Sequence, residues 1–171
     1  MPESYSFFKE QIRRWIYLNI RKQSRILDVG PGCGTYALLL PDFYDMDCVE
    51  VFEPYVDMFY LKILYKNVFV SNIIDFKFEY YDFIILGDIL EHLSKEEGVK
   101  LIDTLYNKCE QILVAVPYLY EQVEINENKY EIHLQSDLTP EIMSERYPKL
   151  ELLIGNEKYG YYIKNECMFN A

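Results

Sequence analysis

The sequence predicts an α/β domain on a mostly parallel sheet that finishes in an antiparallel hairpin. Three observations carry this. Short β-favouring runs alternate with helical segments as far as Pro117, the order produced by parallel strands joined through helical crossovers. One run, Asp82-Phe83-Ile84-Ile85-Leu86, is almost wholly apolar, as in a central strand covered on both faces. The last two runs, 150–154 and 159–164, are separated by a turn that begins Gly155-Asn156, the spacing of a hairpin.

Each element has a local reason. Ser4 can cap a helix reaching about residue 21, with Phe7, Phe8, Ile12, Trp15, Ile16 and Ile20 on one stripe. Its basic end suits a helix C-terminus. The stripe packs on the sheet edge or, alternatively, lies on a membrane surface. A strand at 25–29 runs into Gly30-Pro31-Gly32-Cys33-Gly34, and the helix that follows stops at Pro41. Next come a strand at 47–52 closed by Glu53-Pro54, a helix at 56–65, and strands at 68–71 and 82–86. Ser94 caps a helix to about 107, with Glu96 and Glu97 in its first turn. A strand at 111–116 ends at Pro117. Residues 118–135 are polar and aromatic without a period, a long loop of the kind that is functional or disordered. Thr139 and Pro140 open a short helix as cap and first residue.

The 171 residues fit one domain over 1–171. A net charge of −11 argues against DNA, RNA or anionic membrane as a partner, since each is held through Lys and Arg. The expected partner is a small molecule, bound by a monomer or homodimer. The 17 tyrosines read as core packing, with a stacking surface for sugars or bases as the alternative. Cys33, Cys48, Cys109 and Cys167 share no CxxC spacing, so free thiols in a reducing cytoplasm are expected rather than a zinc cluster or disulfides. The first residues lack the basic start and apolar run of a signal peptide, and no 18-residue apolar stretch occurs.

Strand, glycine turn and helix together open a nucleotide pocket. Glycine admits backbone angles that other residues avoid and lets a ligand lie on the main chain. The ligand is a dinucleotide, a phosphate group or an adenosine-like cofactor. A phosphate loop needs Lys after the last glycine, where Thr35 and Tyr36 stand. The dinucleotide fingerprint needs Gly at 35, and a dehydrogenase needs a substrate domain for which there is no room. Asp28, two residues before the turn, can reach into the pocket. Glu53 ends the second strand, 19 residues after Gly34, where a carboxylate can accept from both ribose hydroxyls. The plain alternative is an acid that merely ends a strand.

At this point the chain resembles the class I S-adenosylmethionine-dependent methyltransferases. The resemblance runs through Ile26-Leu27-Asp28-Val29-Gly30-Pro31-Gly32-Cys33-Gly34 and Glu50-Val51-Phe52-Glu53-Pro54. It continues in Tyr81-Asp82-Phe83-Ile84-Ile85-Leu86-Gly87-Asp88-Ile89-Leu90-Glu91-His92-Leu93 and Ile112-Leu113-Val114-Ala115-Val116-Pro117. It implies a three-layer Rossmann-like fold with a mostly parallel seven-stranded sheet and C-terminal hairpin. It further implies S-adenosyl-L-methionine as cofactor. Asp28, Gly30, Gly32 and Gly34 would line its methionine end and Glu53 would hold its ribose, with Pro31, Tyr36, Pro54, Asn72 and Ile73 also expected to bind the cofactor. Gly87 and Asp88 would face the methionine and the substrate. Where the family often has an Asp for the adenine amine, this chain has Asn72-Ile73, with Asp75 beyond.

His92 and His133 are the only histidines. His92 packs at a helix start, or one of the two is a base, or Asp88, Glu91, His92 and His133 hold a divalent cation. That last set is similar to the Glu-x-x-Glu-His plus distant His of methyltransferases acting on terminal hydroxyls of small RNAs, with Asp in the first place. The expectation adopted is Asp88, His92 and His133 as catalytic residues, without a metal. The acceptor is then a small hydroxyl or amine compound, a sugar derivative among the candidates. Contacts to it would come from the N-terminal helix and residues 118–135, including Tyr118, Tyr120 and Tyr130. The rival from another class is a methyltransferase-like binding module without catalysis; a nicotinamide oxidoreductase is disfavoured by the glycine spacing.

Overall fold

The computed structural model describes residues 6–43, 45–125 and 127–165. The expected cap Ser4 and the thiol of Cys167 lie outside the described residues. Seven strands form one sheet: β1 (Ile26–Val29), β2 (Met46–Glu50), β3 (Asn67–Val70), β4 (Tyr81–Gly87), β5 (Cys109–Pro117), β6 (Leu150–Gly155) and β7 (Tyr159–Lys164). Their order across the sheet is β3-β2-β1-β4-β5-β7-β6. The first five pair in parallel, and β7 runs antiparallel to both β5 and β6. The α/β expectation therefore holds, with the second hairpin strand inserted beside β5.

The strand order reverses between β1 and β4, and chains leaving neighbouring strands in opposite directions open a crevice at their C-terminal ends. This places the glycine turn after β1 across from Gly87-Asp88 after β4. Side-chain alternation supplies the two faces. Ile26, Phe83, Ile85, Leu113 and Tyr161 pack on α1 (Lys9–Asn19) and α2 (Thr35–Leu39). Leu27, Ile84, Leu86 and Val114 pack on the opposite side, against α5 (Lys95–Tyr106) and α6 (Pro140–Arg146).

Local chemistry sets the helix ends. Ser94 and Glu97 form a reciprocal capping box at α5. The Thr139 hydroxyl accepts from the Ile142 N–H, with Pro140 as the first residue of α6. The helix expected over 56–65 is instead two short ones, α3 (Pro54–Met58) and α4 (Leu61–Leu64), because Tyr60 between them is left-handed at φ 55°. Strand β5 continues through Pro117, which lacks the N–H a central strand would use but still pairs with Tyr159.

Packing absorbs much of the tyrosine content. Tyr55, Tyr81, Tyr147, Tyr159 and Tyr161 are among the largest fully buried side chains. Tyr118 is buried too, its hydroxyl 2.5 Å from that of Tyr162. Among the described residues no helix is long and apolar enough to cross a membrane.

Candidate active site

A cavity of about 380 Å³ occupies the crevice. One wall is main chain. Gly30, Gly32 and Gly34 all take left-handed φ, at 61°, 52° and 79°. A Cβ on Gly30 would sit 2.2 Å from the end of the Ile89 side chain, which would have to swing aside, and the left-handed φ strains any larger residue there. Gly30, Pro31, Gly32 and Tyr36 line the cavity as expected. Gly34 does not: it caps α2 and packs toward Leu64. Asp28 is also off the lining, buried behind the turn, where it accepts the Tyr65 hydroxyl at 2.5 Å. Burial lifts the Asp28 carboxyl to about 7, with the Tyr65 bond and Lys9 opposing the rise.

At the end of β2 the cavity meets Glu50, not Glu53. Glu53 is exposed at the start of α3, and Pro54 is exposed as its first residue. The register explains this. Val29 pairs with Val49, and the Gly30 N–H donates to the Val49 carbonyl at 2.9 Å. Glu50 is thus level with the glycine turn and Glu53 has passed it. Glu50 is buried and accepts from the Phe52 N–H at 2.8 Å. Burial raises its carboxyl to about 7; backbone N–H bonds oppose the rise and Glu131 adds to it. Glu131, in turn, accepts the Tyr55 hydroxyl at 3.1 Å. Asn72 and Ile73 line the cavity, with the Asn72 side chain accepting from the Ile74 N–H, whereas Asp75 does not line it.

The other wall comes from the segments after β4 and β5. Gly87 packs on Tyr36, which a Cβ would meet at 2.4 Å. Asp88 is left-handed at φ 58°, a costly backbone for a residue with a Cβ, and accepts the Tyr159 hydroxyl at 2.6 Å. Glu91 and His92 stand on the 3-10 turn Leu90–His92. The Glu91 carbonyl accepts N–H bonds from Leu134 (2.7 Å) and Gln135 (3.0 Å), and the Gln135 side chain bonds the Leu90 carbonyl at 2.6 Å. These bonds dock the long loop and bring His133 to His92, their rings 4.7 Å apart. Burial lowers the His92 imidazole to about 4, with His133 adding to the effect, and burial lowers His133 as well.

Asp88, His92 and His133 therefore meet in one cavity, together with Glu91, Tyr120 and Tyr130. Tyr118 does not join them. No residue of α1 lines the cavity, although Lys9 on that helix sets its Nζ 4.6 Å from the centre of the Tyr36 ring. Glu50 and Glu131 were not singled out from the sequence as site residues. For Glu50 the usable signal was the strand register; for Glu131 there was none.

No protein-family model matches the chain, and no curated protein matches it in sequence. Solved structures do. An S-adenosylmethionine-dependent methyltransferase from Clostridium acetobutylicum superposes with a TM-score of 0.70 at 12% identity, over 95% of this chain and 92% of that one. The chain has the fold of the S-adenosylmethionine-dependent methyltransferases. The N-terminal domain of EvdMO1, solved with SAH bound, gives 0.67 at 13% identity over 95% and 82%. Magnesium protoporphyrin IX methyltransferase from Synechocystis PCC 6803, with bound SAM, gives 0.60 at 13% over 92% and 78%. At such identities the likeness is one of methyltransferase architecture.

Proposed function

We propose that this chain is a methyltransferase that binds S-adenosylmethionine in the crevice and methylates a small hydroxyl or amine compound. The observation that carries the reading is the pairing of a left-handed glycine turn with a buried carboxylate, Glu50, level with it on the next strand. The three glycines leave main chain bare for a ligand, and Glu50 is held by the Phe52 N–H with capacity left for two hydroxyls. Those features fit an adenosine cofactor. Asn72 and Ile73 would flank its base, and Pro31, Tyr36 and Gly87 its methionine end. The ribose role expected of Glu53 passes to Glu50, while Asp28 and Gly34 support the turn from behind.

S-adenosylmethionine supplies an already activated methyl group. The protein's part is to align the acceptor and exclude water. The loop docked on the Glu91 carbonyl covers the cavity, and Asp88, His92 and His133 lie at its acceptor end. Tyr120 and Tyr130 offer rings against which a sugar or aromatic acceptor can lie.

Calorimetric titration with S-adenosylmethionine and S-adenosylhomocysteine tests the reading. Binding is expected for the wild type. Glu50→Gln should weaken it about tenfold or more, as for a lost charge-assisted hydrogen bond, and Glu53→Gln should leave it essentially unchanged. A wild type that takes up neither ligand would end the proposal, and the reverse order of the two variants would return the ribose contact to Glu53.

A further inference from the structure

The geometry points to a subsite for a primary ammonium group, made by Glu91, His92 and His133, which selects a methyl acceptor that carries an amine. Assigning the ammonium to the acceptor rests on the methyl-transfer reading. Each of the three residues offers one acceptor atom, and these atoms lie within 4.8 Å of one another. A primary ammonium has three N–H donors at tetrahedral angles. Bonds of about 2.9 Å would place their acceptors roughly 4.7 Å apart. A metal ion would instead need its donors at roughly 3.4 Å, since its bonds are near 2.1 Å. The spread in this cavity accommodates the ammonium without drawing the residues together.

Two observations make this more than a cluster. The first is Glu91 itself. It is 1% exposed, it lines the cavity, and neither carboxylate oxygen has a hydrogen-bond partner. A buried carboxylate is costly unless something pairs with it. A neutral carboxyl would not resolve this, since its hydroxyl would still lack an acceptor. The second is the setting of the imidazoles. Nδ1 of His92 faces the Ile132 carbonyl at 3.2 Å, and Nδ1 of His133 faces the Tyr120 carbonyl at 2.8 Å. A carbonyl only accepts, so each Nδ1 carries the proton and each neutral ring keeps an accepting lone pair on Nε2. The three residues thus present acceptors and no donor, the complement of an ammonium and a poor match for a hydroxyl, which brings a single proton.

The charge of the whole cavity agrees. Glu50, Asp88, Glu91, Glu97 and Glu131 line it, against one cationic side chain, Lys129. Lys129 is exposed and holds its Nζ 5.2 Å from the centre of the Tyr130 ring. An anionic ligand would meet repulsion from this lining, and a cationic one would be drawn in. Tyr120 and Tyr130 line the same cavity, so the body of a small amine has rings to lie against while its head meets Glu91.

The test titrates the full chain, freed of metal by a chelator, with matched probes: benzylamine against benzyl alcohol, and ethanolamine against ethylene glycol, read by ligand-observed NMR. In at least one pair the amine should bind about tenfold or more tightly than the alcohol, as for hydrogen bonds to a charged group. Glu91→Gln keeps the size and removes the charge, and should bring that ratio near one. His133→Ala, whose loop is anchored by its neighbours Leu134 and Gln135, should lower the ratio and decides alone if Glu91→Gln fails to fold. No preference in either pair, or a ratio that the variants preserve, would overturn the subsite. So would cobalt(II) uptake, followed by visible absorption, in a chain that shows no amine preference. S-adenosylhomocysteine carries an ammonium of its own, so its affinity is measured for the wild type and for Glu91→Gln. Equal affinities support the acceptor as the occupant. Weaker binding to Glu91→Gln, whatever the probes do, would put the cofactor's ammonium there and overturn the acceptor assignment. Amine preference in a wild type that takes up no S-adenosylhomocysteine keeps the ammonium subsite and removes the methyl-transfer reading.

Discussion

The two walls of the cavity are made by different means. The wall after β1 and β2 is main chain and strand register: three left-handed glycines and a carboxylate brought level with them by parallel pairing. The wall after β4 and β5 is made of side chains on a 3-10 turn and on a loop that reaches it from some forty residues away. That loop is held by two N–H bonds to the Glu91 carbonyl and by Gln135. A main-chain wall offers the same surface whatever its neighbours are, which suits a ligand that never varies. A side-chain wall can be rebuilt residue by residue, which suits a ligand that must be chosen. Damage should therefore separate: changes to the second wall should loosen the loop, and changes to the first should cost ligand binding in a protein that still folds.

The largest expected effect tests the second wall. Gln135 is 2% exposed, and its side chain makes three bonds. Its Nε2 donates to the Leu90 carbonyl (2.6 Å), and its Oε1 accepts from Arg146 (2.6 Å) and the Tyr147 hydroxyl (3.0 Å). Gln135→Ala removes all three bonds; the Leu90 carbonyl keeps the Leu93 N–H and Arg146 keeps Asp137, whereas the buried Tyr147 hydroxyl loses its acceptor, so urea unfolding should show a loss of about 3 kcal/mol. Retained stability would mean that the loop docks without it. The first wall predicts the opposite balance. Gly30→Ala forces a Cβ into a left-handed position and toward Ile89. The expected loss of stability is only about 1–2 kcal/mol, but calorimetry should find S-adenosylhomocysteine binding greatly weakened. Unaltered binding would take the turn out of the ligand site.

The same division governs what could be read from the sequence. The glycine turn, the buried run of β4 and the caps Ser94 and Thr139 depend on residues near one another in the chain, and all appear where expected. Glu50 and Glu53 both stand near the end of the second strand, and choosing between them needs the pairing of Val29 with Val49. Asp28 looked like a pocket residue because it ends a strand, but Tyr65 from beyond the next helices claims it. The helix break at Tyr60 had no signal, since nothing in its composition marks a left-handed tyrosine. The sequence could set His133 beside His92 only as one of three readings, because the docking that joins them depends on bonds to the Glu91 and Leu90 carbonyls that no residue pattern encodes.

The smallest expected effect lies where the second wall joins a regular element. Helix α5 begins directly after the turn that carries Glu91 and His92, and its capping box fixes that junction: the Ser94 hydroxyl accepts from the Glu97 N–H, and the Glu97 carboxylate accepts from the Ser94 N–H at 3.0 Å. Ser94→Ala should cost about 1 kcal/mol in urea unfolding. Glu97→Gln probes the other half and brings a pH signature. The backbone bond to Ser94, with its side-chain bond second, holds the Glu97 carboxyl below its usual value. A carboxylate depressed in the folded state stabilises above the ordinary carboxylate range and loses that contribution as the pH falls through the folded value. The gap in stability between wild type and Glu97→Gln should thus be present at neutral pH and close as the pH drops below about 4. Because Glu97 is only partly buried, the gap should be no more than about 0.5 kcal/mol and should shrink with added salt. A gap that persists in acid would place the contribution in packing rather than in the charged bond. The junction would then owe its geometry to Ser94 alone.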